Sequence, residues 1–142
     1  MGEVPSAAEC PAEQPFLFVR HGETEDNRRQ VRCGGEVDPP LTALGLEQAR
    51  AAAQALNALV EPVDALMVSP LQRTRQTAAI ILASLPRSCP LIVHPGLLER
   101  RLGAWNGLDI VRTQPLFDAG QTPPGGESEA VFRQRVTAAL TD

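Results

Sequence analysis

Phe16-Leu17-Phe18-Val19-Arg20-His21-Gly22-Glu23-Thr24 is the most informative stretch of this 142-residue chain. Four apolar residues after Pro15 give way to a charged turn with a glycine. This is the pattern of a short buried strand that empties into a loop at its carboxyl end. It recurs twice: Ala65-Leu66-Met67-Val68 runs into Ser69-Pro70, and Leu91-Ile92-Val93 is closed by Pro95-Gly96. Residues 20–40 are polar and rich in glycine and proline, a loop with one helical turn. Thr42 is placed to cap a helix reaching about Val60, whose Leu46, Ala49, Ala53, Leu56 and Val60 form one stripe.

A second helix is expected from about Leu71 to Leu85, with Leu71, Ala78, Leu82 and Leu85 along one side. A short helix near Asp109–Asp118 is expected to be interrupted at Pro115. After the turn at Thr122–Gly126, Ser128 caps a last helix with Phe132, Val136 and Ala139 in line. Short strands alternating with longer helices predict βαβ crossovers. The expected architecture is a three-layer αβα sandwich around a mostly parallel sheet.

Composition narrows the function. Hydrophobic content of 43% with 21% charged residues fits a globular domain. The apolar runs are far shorter than the roughly 20 residues of a membrane-spanning helix. A net charge of −4 argues against a general nucleic-acid binder, which needs a basic face to displace counterions. All 13 basic residues are arginine, a bias that explains their number but not their positions. Cys10, Cys33 and Cys89 form no CxxC pair, and an odd count suits a reduced compartment. Residues 1–15 lack the basic start and apolar stretch of a signal peptide and read as a disordered tail ahead of one domain, 16–142. The expected location is cytoplasmic.

Ligands of open α/β sheets bind beyond the carboxyl ends of the strands. There the chain places Arg20, His21 and Gly22 after the first strand, Arg73 in the first helical turn after the second, and Glu99 with Arg100 and Arg101 after the third. Arginine forks grip phosphate oxygens in pairs, and a helix N-terminus adds free N–H groups. Gly22 lets an anion approach the backbone. A neutral imidazole in such a setting can attack phosphorus and carry the phosphoryl group. Glu99 can then give a proton to the departing oxygen. Arg75 and His94 read as surface or structural residues, and Trp105 as packing. Cys33, without a histidine–carboxylate partner set, is not read as a nucleophile. No His/Cys cluster has metal-ligand spacing, so neither metal nor cofactor is expected.

Arg20-His21-Gly22-Glu23-Thr24 with Asn27 resembles the signature of the histidine phosphatase (phosphoglycerate mutase-like) superfamily. The likeness continues in order through Gly34, Asp38 and Pro40-Leu41-Thr42; Ser69-Pro70-Leu71-Gln72-Arg73; Leu98-Glu99 and Gly103; and Pro124-Gly125-Gly126-Glu127-Ser128. The resemblance implies a phosphoryl acceptor at His21, phosphate ligands at Arg20 and Arg73, and an acid/base at Glu99. It implies substrate contacts from Gly22, Thr24, Asn27, Cys33, Gly34 and Arg100.

Such proteins carry a second catalytic histidine after a later strand. The only other histidine here is His94, which precedes Glu99. The chain therefore resembles a member shortened at its C-terminus, and an unpaired sheet edge is expected to leave it marginally stable or to drive homodimerisation. The expected activity is hydrolysis of a small phosphorylated metabolite. The alternatives are a catalytically impaired phosphate-binding or partner-binding remnant, and a mutase-type phosphotransferase. The short segment between Glu99 and Glu127 favours hydrolysis, because it covers the phosphohistidine poorly against water.

Overall fold

A computed structural model of the chain describes residues 16–59 and 62–141. The tail expected over residues 1–15 lies outside the described residues, as does Val60, the last position of the first apolar stripe. The elements are α1 (Glu25–Arg28), α2 (Ala43–Asn57), β1 (Leu66–Val68), α3 (Gln72–Ser84), β2 (Leu91–Val93), α4 (Ile110–Asp118) and α5 (Glu129–Leu140). Single 3₁₀ turns lie at Pro95–Leu97 and Gly103–Trp105.

The strands β1 and β2 pair in parallel through the α3 crossover, from Leu66 opposite Leu91 to Val68 opposite Val93. Thr42 caps α2 by accepting the Gly45 N–H at 3.0 Å. Ala49 and Ala53 of α2 and Ala78 and Ile81 of α3 are buried where these two helices pack, and the alanines permit a close approach. Helix α3 begins at Leu71, which offers no side-chain cap; the Asp38 carboxylate instead accepts the Gln72 N–H at 2.6 Å. Ser128 caps α5 through the Val131 N–H, and Ala139 is its buried anchor. Among the described residues no helix is long and apolar enough to cross a membrane.

Two expectations are corrected. Helix α4 runs through Pro115 without interruption, capped by Asp109. The carbonyl that loses its partner is that of Val111, four residues earlier, and Val111 is exposed, where water can serve it. The apolar run Phe16–Val19 is not a strand, and all four side chains are exposed. Its extended character survives in the edge-on contact of Phe16 with Phe18 at 5.3 Å, two residues apart on one side. A strand needs a hydrogen-bonded neighbour as well as apolar residues, and this run gains none among the described residues. Met67 and all of β2 are exposed too.

The loop after Val19 is seated on the start of α2. A Cβ on Gly22 would lie 2.2 Å from the Gly45 carbonyl oxygen, and one on Gly45 would lie 2.2 Å from that of Glu23. Glycine inside a helix ordinarily costs about 1 kcal/mol relative to alanine. Here the sign should reverse. Gly45→Ala is expected to destabilise by about 1–3 kcal/mol through overpacking, read as a lower urea midpoint at unchanged slope. A raised midpoint would contradict the packing described.

Candidate active site

A cleft of about 520 Å³ opens beyond the carboxyl ends of β1 and β2 and is lined by Arg20, His21, Asn27, Cys33, Arg73, Glu99 and Arg100, among others. These residues arrive from three separate parts of the chain. Arg20 and His21 come from the loop seated on α2, Arg73 from the first turn of α3, and Glu99 from the segment after the Pro95–Leu97 turn.

His21 is oriented from both sides. Its Nδ1 lies 2.7 Å from the Gly22 carbonyl oxygen. A carbonyl only accepts, so Nδ1 carries the proton and Nε2 keeps the lone pair. The next N–H, that of Gly22, is caught by Thr77 Oγ1 at 3.1 Å, and Thr77 in turn donates to the Arg73 carbonyl at 2.8 Å. The ring therefore sits on a chain of bonds that ends at Arg73. Burial lowers the His21 pKa below 6.5. The Gly22 bond and the Glu99 charge oppose that shift, while the Arg73 and Arg20 charges add to it.

Arg73 is only 2% exposed. It donates to the Val37 carbonyl at 2.8 Å and to that of Gly34 at 3.4 Å, and makes no ion pair with a described carboxylate. Glu99 is exposed and accepts the Arg100 N–H at 2.7 Å. The Oδ1 of Asn27 is taken by Thr24 through both its N–H and its hydroxyl, which leaves the amide donors of Asn27 for an anion. Burial pushes the Cys33 thiol up to about 11 against the Arg73 charge, so it faces the cleft protonated at neutral pH.

Three residues expected as ligand contacts also serve as supports. Gly22, Thr24 and Gly34 are buried and do not line the cleft. Gly22 has no room for a side chain because Gly45 presses on it. Thr24, fully buried, caps α1 in a reciprocal box with Asn27. Gly34 donates to Asn106 Oδ1 at 2.7 Å, and a Cβ there would meet the backbone of Arg100 and Leu102. The start of α3 is likewise less free than expected, since Asp38 holds its first N–H.

The sequence reading missed part of the wall. Arg32, Phe117 and Phe132 also line the cleft. Arg32 stacks 4.0 Å from the centre of the Phe117 ring and donates to Thr113 Oγ1, the Ile110 carbonyl and Gln114 Oε1, fastening α4 over the site. Trp105 packs against the same ring at 5.1 Å. In an arginine-only chain nothing distinguishes Arg32 from its neighbours. His94 accepts the Gly96 N–H and caps the Pro95–Leu97 turn, and is not among the residues lining the cleft.

The profile of the histidine phosphatase superfamily (branch 1) matches residues 16–142. The chain belongs to that superfamily. It is 33% identical over 132 residues to a 2,3-bisphosphoglycerate-dependent phosphoglycerate mutase from Parvibaculum lavamentivorans, covering 85% of this chain and 62% of that protein. It is 40% identical over 121 residues to fructose-2,6-bisphosphatase TIGAR B from Danio rerio, covering 80% and 46%. The crystal structure of a phosphoglycerate mutase from Thermus thermophilus superposes with a TM-score of 0.66 at 35% identity, over 85% of this chain and 67% of that one. The chain thus spans about half to two thirds of the length of the relatives it matches.

The neutral imidazole makes a measurable prediction. Followed by NMR, His21 should titrate with a midpoint below 6.5, and Arg20→Gln at the exposed rim should move it upward. The folded value lies below the unfolded one, so this group's contribution to stability is complete above pH 6.5 and is lost as pH falls through the folded midpoint. A wild-type midpoint at or above 6.5 would overturn the assignment.

Proposed function

We propose that the chain is a phosphatase of small phosphorylated metabolites that works through a phosphohistidine at His21. The observation that carries this is the His21 ring itself: neutral, with Nδ1–H bound to Gly22, and flanked by Arg73 and Arg20 in a cleft that also holds Glu99. In the first step the Nε2 lone pair forms a bond to phosphorus as the bond to the ester oxygen breaks. Glu99 supplies the proton that the departing alkoxide needs. In the second, water attacks phosphorus, its proton passes to the Glu99 carboxylate, and the phosphorus–nitrogen bond breaks. The fixed arginines neutralise the phosphoryl oxygens throughout, a role that in other folds can fall to a metal. Asn27 and Arg100 are the further substrate contacts. The relatives' names supply both hydrolase and mutase chemistry, and the exposed Glu99 segment favours access of water, hence hydrolysis.

A second reading is a phosphate-binding or partner-binding protein of low turnover. It is favoured by the use of His94 as a turn cap, which leaves His21 as the cleft's histidine among the described residues. Both readings carry the expectation that the exposed Phe16–Val19 and β2 segments bring two copies together. Sedimentation at rising concentration should then show a dimer that Phe18→Glu returns to monomer.

With 4-nitrophenyl phosphate, wild-type protein should turn over and His21→Ala should not. Alkaline quenching should trap a phosphate on His21, visible by mass spectrometry. Retained turnover in His21→Ala sinks the mechanism, while phosphate binding without turnover in the wild type selects the second reading.

A further inference from the structure

Glu99 stands on a segment that neither strand nor long helix supports, yet a cleft acid needs a fixed direction. The residues on either side of it are gripped by one ion pair, between the buried Glu127 and the half-buried Arg135. Arg135 of α5 donates through Nη1 to the Gly96 carbonyl at 3.0 Å and the Leu98 carbonyl at 2.8 Å, and through Nη2 to Glu127 Oε1. The same carboxylate oxygen accepts the Arg101 N–H at 3.0 Å, and Arg101 Nη1 lies 3.8 Å from Glu127 Oε2. The backbones of Glu127 and Arg101 are joined again, N–H to carbonyl, at 2.9 Å. Arg100 Nε donates to the Glu127 carbonyl at 3.1 Å. Leu98 and Arg101 are thus tied to the Glu127–Arg135 pair through their backbones, and Arg100 through its side chain.

We propose that Glu127 and Arg135 are positioning residues that aim the Glu99 carboxyl at the oxygen leaving phosphorus. Neither residue is among those lining the cleft. Glu127 is 8% exposed. Burial works against its charge, but the bonds from Arg135 and the Arg101 N–H, with their charges, outweigh it and hold the carboxyl ionised. Arg135 binds three acceptors with two nitrogens while its buried Nε finds no partner among the described residues. An orphaned buried N–H is costly, and a guanidinium offsets that cost where its planar fork must span a carboxylate and two carbonyls at once. A lysine, a single point of charge, cannot hold that spread.

The inference rests on the phosphohistidine reading, and leaving-group chemistry separates the two. A 4-nitrophenolate departs without a proton, whereas the alkoxide of glycerol phosphate needs one. Arg135→Lys and Glu127→Gln are expected to lower the rate of His21 phosphorylation by glycerol phosphate, read by rapid quench, about tenfold or more, and to leave the rate of that step with 4-nitrophenyl phosphate within about twofold. Glu99→Gln should show the same asymmetry in that step, while its steady-state turnover falls on both substrates because Glu99 also takes the proton of the attacking water. Equal losses in that step with both substrates, or none, would overturn the positioning role. His21→Ala turning over either substrate would overturn the underlying mechanism instead. A readout independent of turnover is amide exchange. In Arg135→Lys the Arg101 and Glu127 amides should exchange at least about tenfold faster while those of α2 keep wild-type rates. Unchanged exchange at Arg101 and Glu127 would refute the clasp.

Discussion

A nearly buried cation without a described counter-ion governs this molecule. Arg73 is held by two carbonyl oxygens, which satisfy part of its hydrogen-bonding capacity and none of its charge. Transferring such a charge away from water is expensive unless something negative stands near it. No described carboxylate pairs with it; Arg73 faces a cleft that it shares with Glu99, and an anion entering that cleft would restore what burial removed. The same uncompensated charge acts on His21, adding to the desolvation that keeps the imidazole neutral. One placement thus makes both an anion seat and a lone pair to meet the anion.

That placement follows from small residues. The bond chain from His21 through Gly22 and Thr77 to Arg73 closes only because Gly22 and Gly45 let the loop and α2 touch backbone to backbone. Alanines along α2 and α3 bring the two helices close where they pack. Stability and site geometry are therefore the same contacts, and a substitution that loosens the helix pair displaces His21.

Much of this was legible from residue order. Strand-to-loop transitions after Val68 and Val93 place Arg73 and Glu99 at one end of the sheet, and the caps Thr42 and Ser128 mark where helices start. Three things escaped. Phe16–Val19 has the composition of a strand, but pairing depends on a neighbour that local composition does not reveal. Gly22 carries the right letter for a reason set by Gly45, far along the chain. Arg32 and Arg135 hold walls of the cleft from distant segments, and in a chain whose basic residues are all arginine the sequence offers no contrast by which to single them out.

A sheet of two three-residue strands is a thin foundation for a site assembled from three segments, and hydrogen bonds between loops make up the difference. Glu36, on the nucleophile's side, accepts from the Leu102 and Gly103 N–H groups and from Asn106 Nδ2, just beyond the acid's segment. Asn106 returns the bond by accepting from Gly34, and the Gly35 N–H reaches the Arg100 carbonyl. Backbone groups that would otherwise be exposed loop donors become fixed ties, which restrains the two walls without a shared strand. With Arg32 pinning α4 and the Glu127–Arg135 pair pinning the turn before Glu99, His21 and Glu99, the proposed nucleophile and acid, are referenced to each other directly. The distance between them then depends on a few side-chain bonds and very little on the width of the sheet.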